Sequence, residues 1–160
     1  MIPCYVSGAG MLAGETTWSF KTLVIGWLER SGLGYDTRLR YYRAQFPQLG
    51  AEDLARQVCD PIEFYDRDWP AYRDAEVGAG LPEAEALAKF VFERDARFRN
   101  DADAAIYCFD EAGVGSGINV MRFVYAGKPV LGFYSVDPGV RRINLTNVLD
   151  RKSTRLNSSH

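Results

Sequence analysis

The sequence has little of what metal centres and disulfide frameworks are made from. Its one histidine is His160, and its three cysteines are Cys4, Cys59 and Cys108. The cysteine number is odd and no Cys-X-X-Cys spacing occurs. Reduced, buried thiols and a cytoplasmic setting are therefore expected, with no metal and no cofactor. An excess of one charge sign is also missing: 19 basic residues stand against 21 acidic ones, interspersed, for a net charge of −2. That argues against a nucleic-acid surface or an anionic membrane as the main partner. No apolar run is long enough to span a bilayer, and the N-terminus lacks the charge pattern of a signal peptide. There is no internal repeat, and 160 residues suit one domain with a single core.

The last stretch is set apart. Residues Asp150 to His160 read DRKSTRLNSSH, polar throughout and without hydrophobic period. The stretch also matches the translation of a common sequencing-adapter oligonucleotide. It is taken as a non-native tail, so residues 1–149 form the domain and His160 carries no function. The natural chain is expected to continue past Leu149.

What is present is an alternation of short apolar runs and helical periods. Ile2 to Ser7 predicts a first, central strand, and Gly8-Ala9-Gly10 a glycine turn after it. Thr16 to Arg30 is the clearest helix. Its expected inner face is Phe20, Leu23, Val24, Trp27 and Leu28, with Thr16 or Thr17 as cap and Ser31-Gly32 as the stop. Tyr35 to Tyr42 alternates weakly and predicts a second strand. Its Arg38, Arg40 and Arg43 suit phosphate, or more plainly an exposed strand face.

Phe46 to Gly80 is interrupted by Pro47, Pro61 and Pro70. It suggests a helical turn over Ala51 to Val58, an aromatic and charged stretch at Phe64 to Trp69 fit for a lid or subunit contact, and a hinge at Gly78-Ala79-Gly80. Pro82 to Arg99 predicts a helix with Leu87, Val91 and Phe98 inward and Phe90 beside them. Asp95 falls near its C-terminal end, where a negative charge opposes the helix dipole.

Ala104 to Phe109 predicts a third strand, buried on both faces, with Asp110 and Glu111 at its carboxyl end. A catalytic carboxylate would stand there in an α/β sheet, although loop acids are often simply solvated. Gly113 to Val130 then gives a glycine loop around Gly115-Ser116-Gly117. A helix from Val114 to Ala126 follows, with Val120, Phe123 and Val124 inward, and Gly127-Lys128-Pro129 closes it. Val130 to Tyr134 is the fourth strand, Asp137-Pro138-Gly139 a turn, and Asn144 to Leu149 the start of another helix or a lid. Strands alternating with helices predict a parallel, doubly wound three-layer sandwich. The free N–H groups at the start of the helix after the glycine loop suit a small anionic or polyhydroxylated ligand.

Four segments in fixed order give a family likeness: Tyr5 to Gly10; Asp95 with Asp103; Gly115-Ser116-Gly117-Ile118-Asn119 with Gly127-Lys128-Pro129-Val130; and Ile143-Asn144-Leu145. On these the chain resembles the nucleoside 2-deoxyribosyltransferase family. The resemblance implies a flavodoxin-like, Rossmann-like α/β fold and a small-molecule nucleoside or nucleotide as partner. It also implies a homo-oligomer in which Asn144 is lent to the neighbouring site.

In that family a glutamate attacks the sugar C1′ and a glycosyl-enzyme forms, by the logic of a retaining glycosidase. Asn119 stands at the glutamate's position in this chain. The family's first-strand tyrosine falls at Val6, with Tyr5 one place off. Its sugar-contacting aspartate falls at Gly113, close to Asp110 and Glu111. The resemblance gives Asp95 the role of bonding the base or protonating the leaving nitrogen. It gives Gly8, Gly10, Gln45, Gly115, Ser116, Gly117 and Asn144 to substrate binding.

Three functions follow as expectations. The first is an N-glycosidic transferase or hydrolase acting on deoxyribosides, with Asp110 or Glu111 replacing the lost glutamate. The second is a nucleotide-binding sensor or scaffold that keeps the pocket without catalysis. The third is a flavodoxin-like domain with an unrelated ligand.

Overall fold

The apolar runs pair into one four-stranded parallel sheet in a computed structural model that describes residues 1–9, 14–50, 53–54 and 67–134. The strands are β1 (Ile2–Ser7), β2 (Gly34–Asp36), β3 (Ala104–Cys108) and β4 (Val130–Phe133). The helices are α1 (Glu15–Ser31), α2 (Thr37–Gln45), α3 (Trp69–Gly78), α4 (Glu83–Asn100) and α5 (Val114–Tyr125). Strand order is β2-β1-β3-β4, with Cys4 opposite Ala104 and Ala105 opposite Val130. This is the doubly wound, flavodoxin-like α/β arrangement that the alternation predicts.

Strand alternation sorts the side chains into two layers. Val6 and Cys108 face α1: a side chain at Gly8, on their face, would meet Thr17 and Cys108 within 3.2 Å. Tyr5 and Tyr107 face the other way, where Phe123 of α5 stacks on Tyr5 at 5.9 Å and Arg38 of α2 covers the same ring at 5.2 Å. Phe98 of α4 packs on Tyr41 and Tyr42 of α2 in this second layer. α3 leans on α4 through Trp69 and Tyr72, each edge-on or tilted against Phe90.

Four expectations are corrected. The second strand is only three residues long, and Thr37–Gln45 is a helix. The cause is Asp36, whose carboxylate takes the N–H groups of Arg38 and Leu39 and starts α2 at once. The most buried face of α1 is Thr17, Lys21, Ile25 and Leu28; of the expected face Leu28 is buried and Phe20 and Val24 pack on the core, while Leu23 and Trp27 are 68% and 50% exposed. Polar partners at the sheet end turn the helix that way, as described below. Neither Thr16 nor Thr17 caps α1 from its own first turn: the N-cap is Gly14, without a side-chain cap of its own. Val124, expected inward, is exposed on α5.

The stop at Gly32, which adopts φ +67°, is as expected, because glycine enters the left-handed region without strain. Among the described residues no helix is long and apolar enough to cross a membrane. Cys4 and Cys108 are free and buried. Gly10, Cys59, the segment from 135 to 149 with Asn144, and the tail 150–160 lie outside the described residues. So do most of 51–66, although Asp53 and Leu54 are helical.

Candidate functional site

The carboxyl edge of the sheet is where β1 and β3 end side by side, Ser7 opposite Tyr107. The β1–α1 turn and the β3–α5 turn meet there. Ser116, in the first turn of α5, donates to Gly8 O at 2.8 Å and draws the start of α5 onto the end of β1. Lys21 of α1 reaches back, nearly fully buried, to donate to Ala9 O at 2.8 Å. Gly8 allows this crowding: an added Cβ would lie 2.8 Å from Thr17 Cγ2 and 3.1 Å from Cys108 O. Gly115 and Gly117 belong to α5, Gly115 exposed and Gly117 buried.

Glu111 has a defined task. Its Oε2 accepts from Gly14 N at 2.8 Å and from the Thr17 hydroxyl at 2.5 Å. A carboxylate bonded to the N–H of a helix's N-cap residue satisfies a donor that has no intrahelical partner and complements the dipole. Glu111 is thus the cap of α1, supplied from 97 residues away. Asp110 is buried, with Cys108 Sγ 3.9 Å from its Oδ2. Because Cys108 points to the α1 side of the sheet, both substitute acids are held on that side.

Asp95 and Asn119 belong to the opposite layer. Asp95 is half-buried on α4, with Arg94 Nε 4.0 Å from its Oδ1. Tyr5 connects the two helices. Burial raises the Tyr5 phenol above its ordinary range, and the charge of Asp95 adds to that. Asn119, half-buried, precedes Phe123 by one helical turn on the same face of α5, and Phe123 stacks on Tyr5.

Tyr107 lies beside Tyr5, ring centroids 6.3 Å apart, and its phenol is raised as well, first by burial and then by the Tyr5 phenol. Ser7 stands near both hydroxyls, but Tyr107 Oη has no hydrogen bond of good geometry. The four proposed catalytic residues therefore separate into two pairs, Asp95 with Asn119 and Asp110 with Glu111, on opposite sides of the sheet. Gln45 stands apart, on the last turn of α2, where its Oε1 accepts from Arg67 N at 3.1 Å.

Sequence reasoning missed the polar groups beneath α2 and α4. Asp36 is fully buried. It accepts from Val6 N at 3.0 Å and is paired with Arg38 at 3.2 Å, while Arg38 also donates to Val6 O. The tyrosines of β1 and β3 and Arg99 of α4 complete the layer. A usable signal was present in the strands: Tyr5, Ser7 and Tyr107 put three hydroxyls on one face of otherwise apolar runs. Among the described residues no group of His, Cys, Asp and Glu could hold a metal ion. Compared with family models, curated proteins and solved structures, the chain matches none.

Proposed function

We propose that this domain binds a nucleoside or nucleotide at the carboxyl edge of its sheet, on the Tyr5 side, without forming a glycosyl-enzyme. The observation that supports this most is the use of Glu111 as the cap of α1. Of the acids that stood to replace the family's glutamate, Glu111 is tied to Gly14 and Thr17, and Asp110 is buried beside Cys108 on the wrong side of the sheet. Asn119 has an amide where the resemblance requires a carboxylate. An amide can hydrogen-bond a sugar hydroxyl but cannot offset a developing oxocarbenium charge.

The binding groups fit a ligand with a polar sugar and a base. Helix α5 starts at Gly113 with no side-chain cap and no acid in its first turn, next to Gly8. Its free N–H groups suit a hydroxyl or phosphate. Asp95 offers a carboxylate to the base, and Asn119 an amide to the sugar. By resemblance, Asn144 from a neighbouring copy completes the site in a homo-oligomer, and the two reduced thiols fit a cytoplasmic protein.

A second reading keeps the enzyme. Asp95, whose charge reaches the Tyr5 phenol, is a carboxylate in the same layer, able to activate water for direct hydrolysis of an N-glycosidic bond. One experiment separates the two. The full chain is incubated with a panel of deoxynucleosides and their monophosphates, with binding followed by calorimetry and free base by chromatography. Binding without base release, weakened by Asp95→Ala, supports the binding module. Base release abolished by Asp95→Ala establishes the hydrolase. No binding of any panel member removes both.

A further inference from the structure

A cavity lies between the last turns of α4 and α5. It encloses about 250 Å3 and is lined by Ala96, Arg99 and Asn100 on one side and by Arg122, Phe123 and Lys128 on the other. Three of these residues are cations and none is an acid. Cations are common at helix C-termini, where they offset exposed carbonyls. Lys128 is of that kind, donating to Asn100 O at 2.9 Å and to Ala102 O at 2.5 Å.

Arg99 is different. It is only 7% exposed, and among the described residues its guanidinium makes no hydrogen bond and no ion pair. Nη2 is buried without any partner. The nearby Tyr107 hydroxyl feels its charge but takes no bond from it. A guanidinium nitrogen buried without an acceptor is disfavoured, and the rest of the group, on the groove wall, is free to take acceptors from a ligand. Arg122, at the rim, stacks its guanidinium over Phe92 at 5.3 Å and also has no acid partner among the described residues.

We propose that this groove binds a small oxyanion, a phosphate or carboxylate group, with Arg99 as its forked partner and Arg122 as the second charge. A planar guanidinium matches the two oxygens of either group. The volume is below that of sites holding drug-sized ligands, which places the ligand in the class of inorganic phosphate or a small phosphorylated or dicarboxylic metabolite. The groove shares Phe123 and Arg99 with the layer over Tyr5, but its anion chemistry does not depend on the nucleoside proposal.

Thermal unfolding of the full chain tests it, with inorganic phosphate or malonate titrated at constant ionic strength against chloride. The expected result is a saturable rise in Tm with at least one of the two anions, and which one responds identifies the chemistry. In Arg99→Met the rise is lost, while the anion-free Tm is no lower than that of the unchanged protein, because an unpaired charge has been replaced by an apolar side chain of similar length. Arg122→Glu, a change at an exposed residue that leaves the fold intact, weakens anion affinity at least tenfold and carries the test if Arg99→Met does not fold. Absence of a saturable response to both anions overturns the proposal. So does a response that survives in Arg122→Glu and in folded Arg99→Met.

Discussion

The Thr17 hydroxyl donates to Glu111 Oε2 at 2.5 Å, joining residues 94 apart in sequence at the mouth of the β1–α1 turn. The same oxygen takes Gly14 N, so one carboxylate fixes the start of α1 against the β3–α5 loop. Thr17→Val and Glu111→Gln are each expected to cost about 1.5–3 kcal/mol, the range for a hydrogen bond to a charged group. The double variant should cost less than the two together, because both changes remove one interaction. Urea unfolding of the four proteins measures this. Ligand binding at the proposed nucleoside site should survive both changes, which separates a structural Glu111 from a catalytic one.

Asp36 is the acceptor on which the β1–β2–α2 corner depends. It takes Val6 N, Arg38 N and Leu39 N and faces the Arg38 guanidinium, all in full burial. Removing one partner of a buried pair leaves the other charge uncompensated, at a cost of roughly 3–5 kcal/mol. Asp36→Ala should therefore lower the urea midpoint far more than Asp68→Ala, whose carboxylate bonds the Tyr41 hydroxyl at an exposed site. Equal effects from the two substitutions would contradict this placement.

Alkaline pH should weaken the fold through its buried acids. Burial raises the phenols of Tyr5 and Tyr107 and the thiols of Cys4 and Cys108 above their ordinary values. The unfolded chain therefore loses these protons first. Stability is full below about pH 8 and falls as pH rises, by up to about 1.4 kcal/mol per pH unit for each group that ionises only when unfolded. Tyr107→Phe removes one such group together with a hydroxyl that has no partner. Its stability at pH 7 should be unchanged or slightly higher, and its loss above about pH 10 shallower than that of the unchanged protein. Urea midpoints collected between pH 7 and pH 11 read both effects.

Much of the scaffold was legible because its signals are local. The apolar runs of β1, β3 and β4 and the periods of α1, α4 and α5 stand where the sequence places them, to within about two residues. Two errors share one cause, a polar group whose partner is distant in sequence. Hydrophobicity alone turned α1 towards Leu23 and Trp27, yet Thr17 and Lys21 face inward because Glu111 and Ala9 O wait for them. Alternation of Arg38 and Arg40 suggested a strand, yet Asp36 caps a helix.

The site was half legible for the same reason. Asp95 and Asn119 were singled out through motif spacing and lie in one layer. Glu111 was offered as an acid because its position at the strand end is visible in the sequence and its partner at Thr17 is not. The cluster of Tyr5, Tyr107, Arg38 and Arg99 required the sheet register to be seen.

The most direct test restores the carboxylate that the proposed site lacks. Asn119→Glu puts a carboxylate on the face of α5 that Phe123 shares with Tyr5. With a deoxynucleoside present, intact-protein mass spectrometry should detect a deoxyribosyl adduct on Asn119→Glu and none on the unchanged protein, with base release appearing only in the variant. A deoxyribosyl adduct on the unchanged protein would contradict the account. So would an Asn119→Glu protein that folds, yet neither binds nor cleaves any deoxynucleoside.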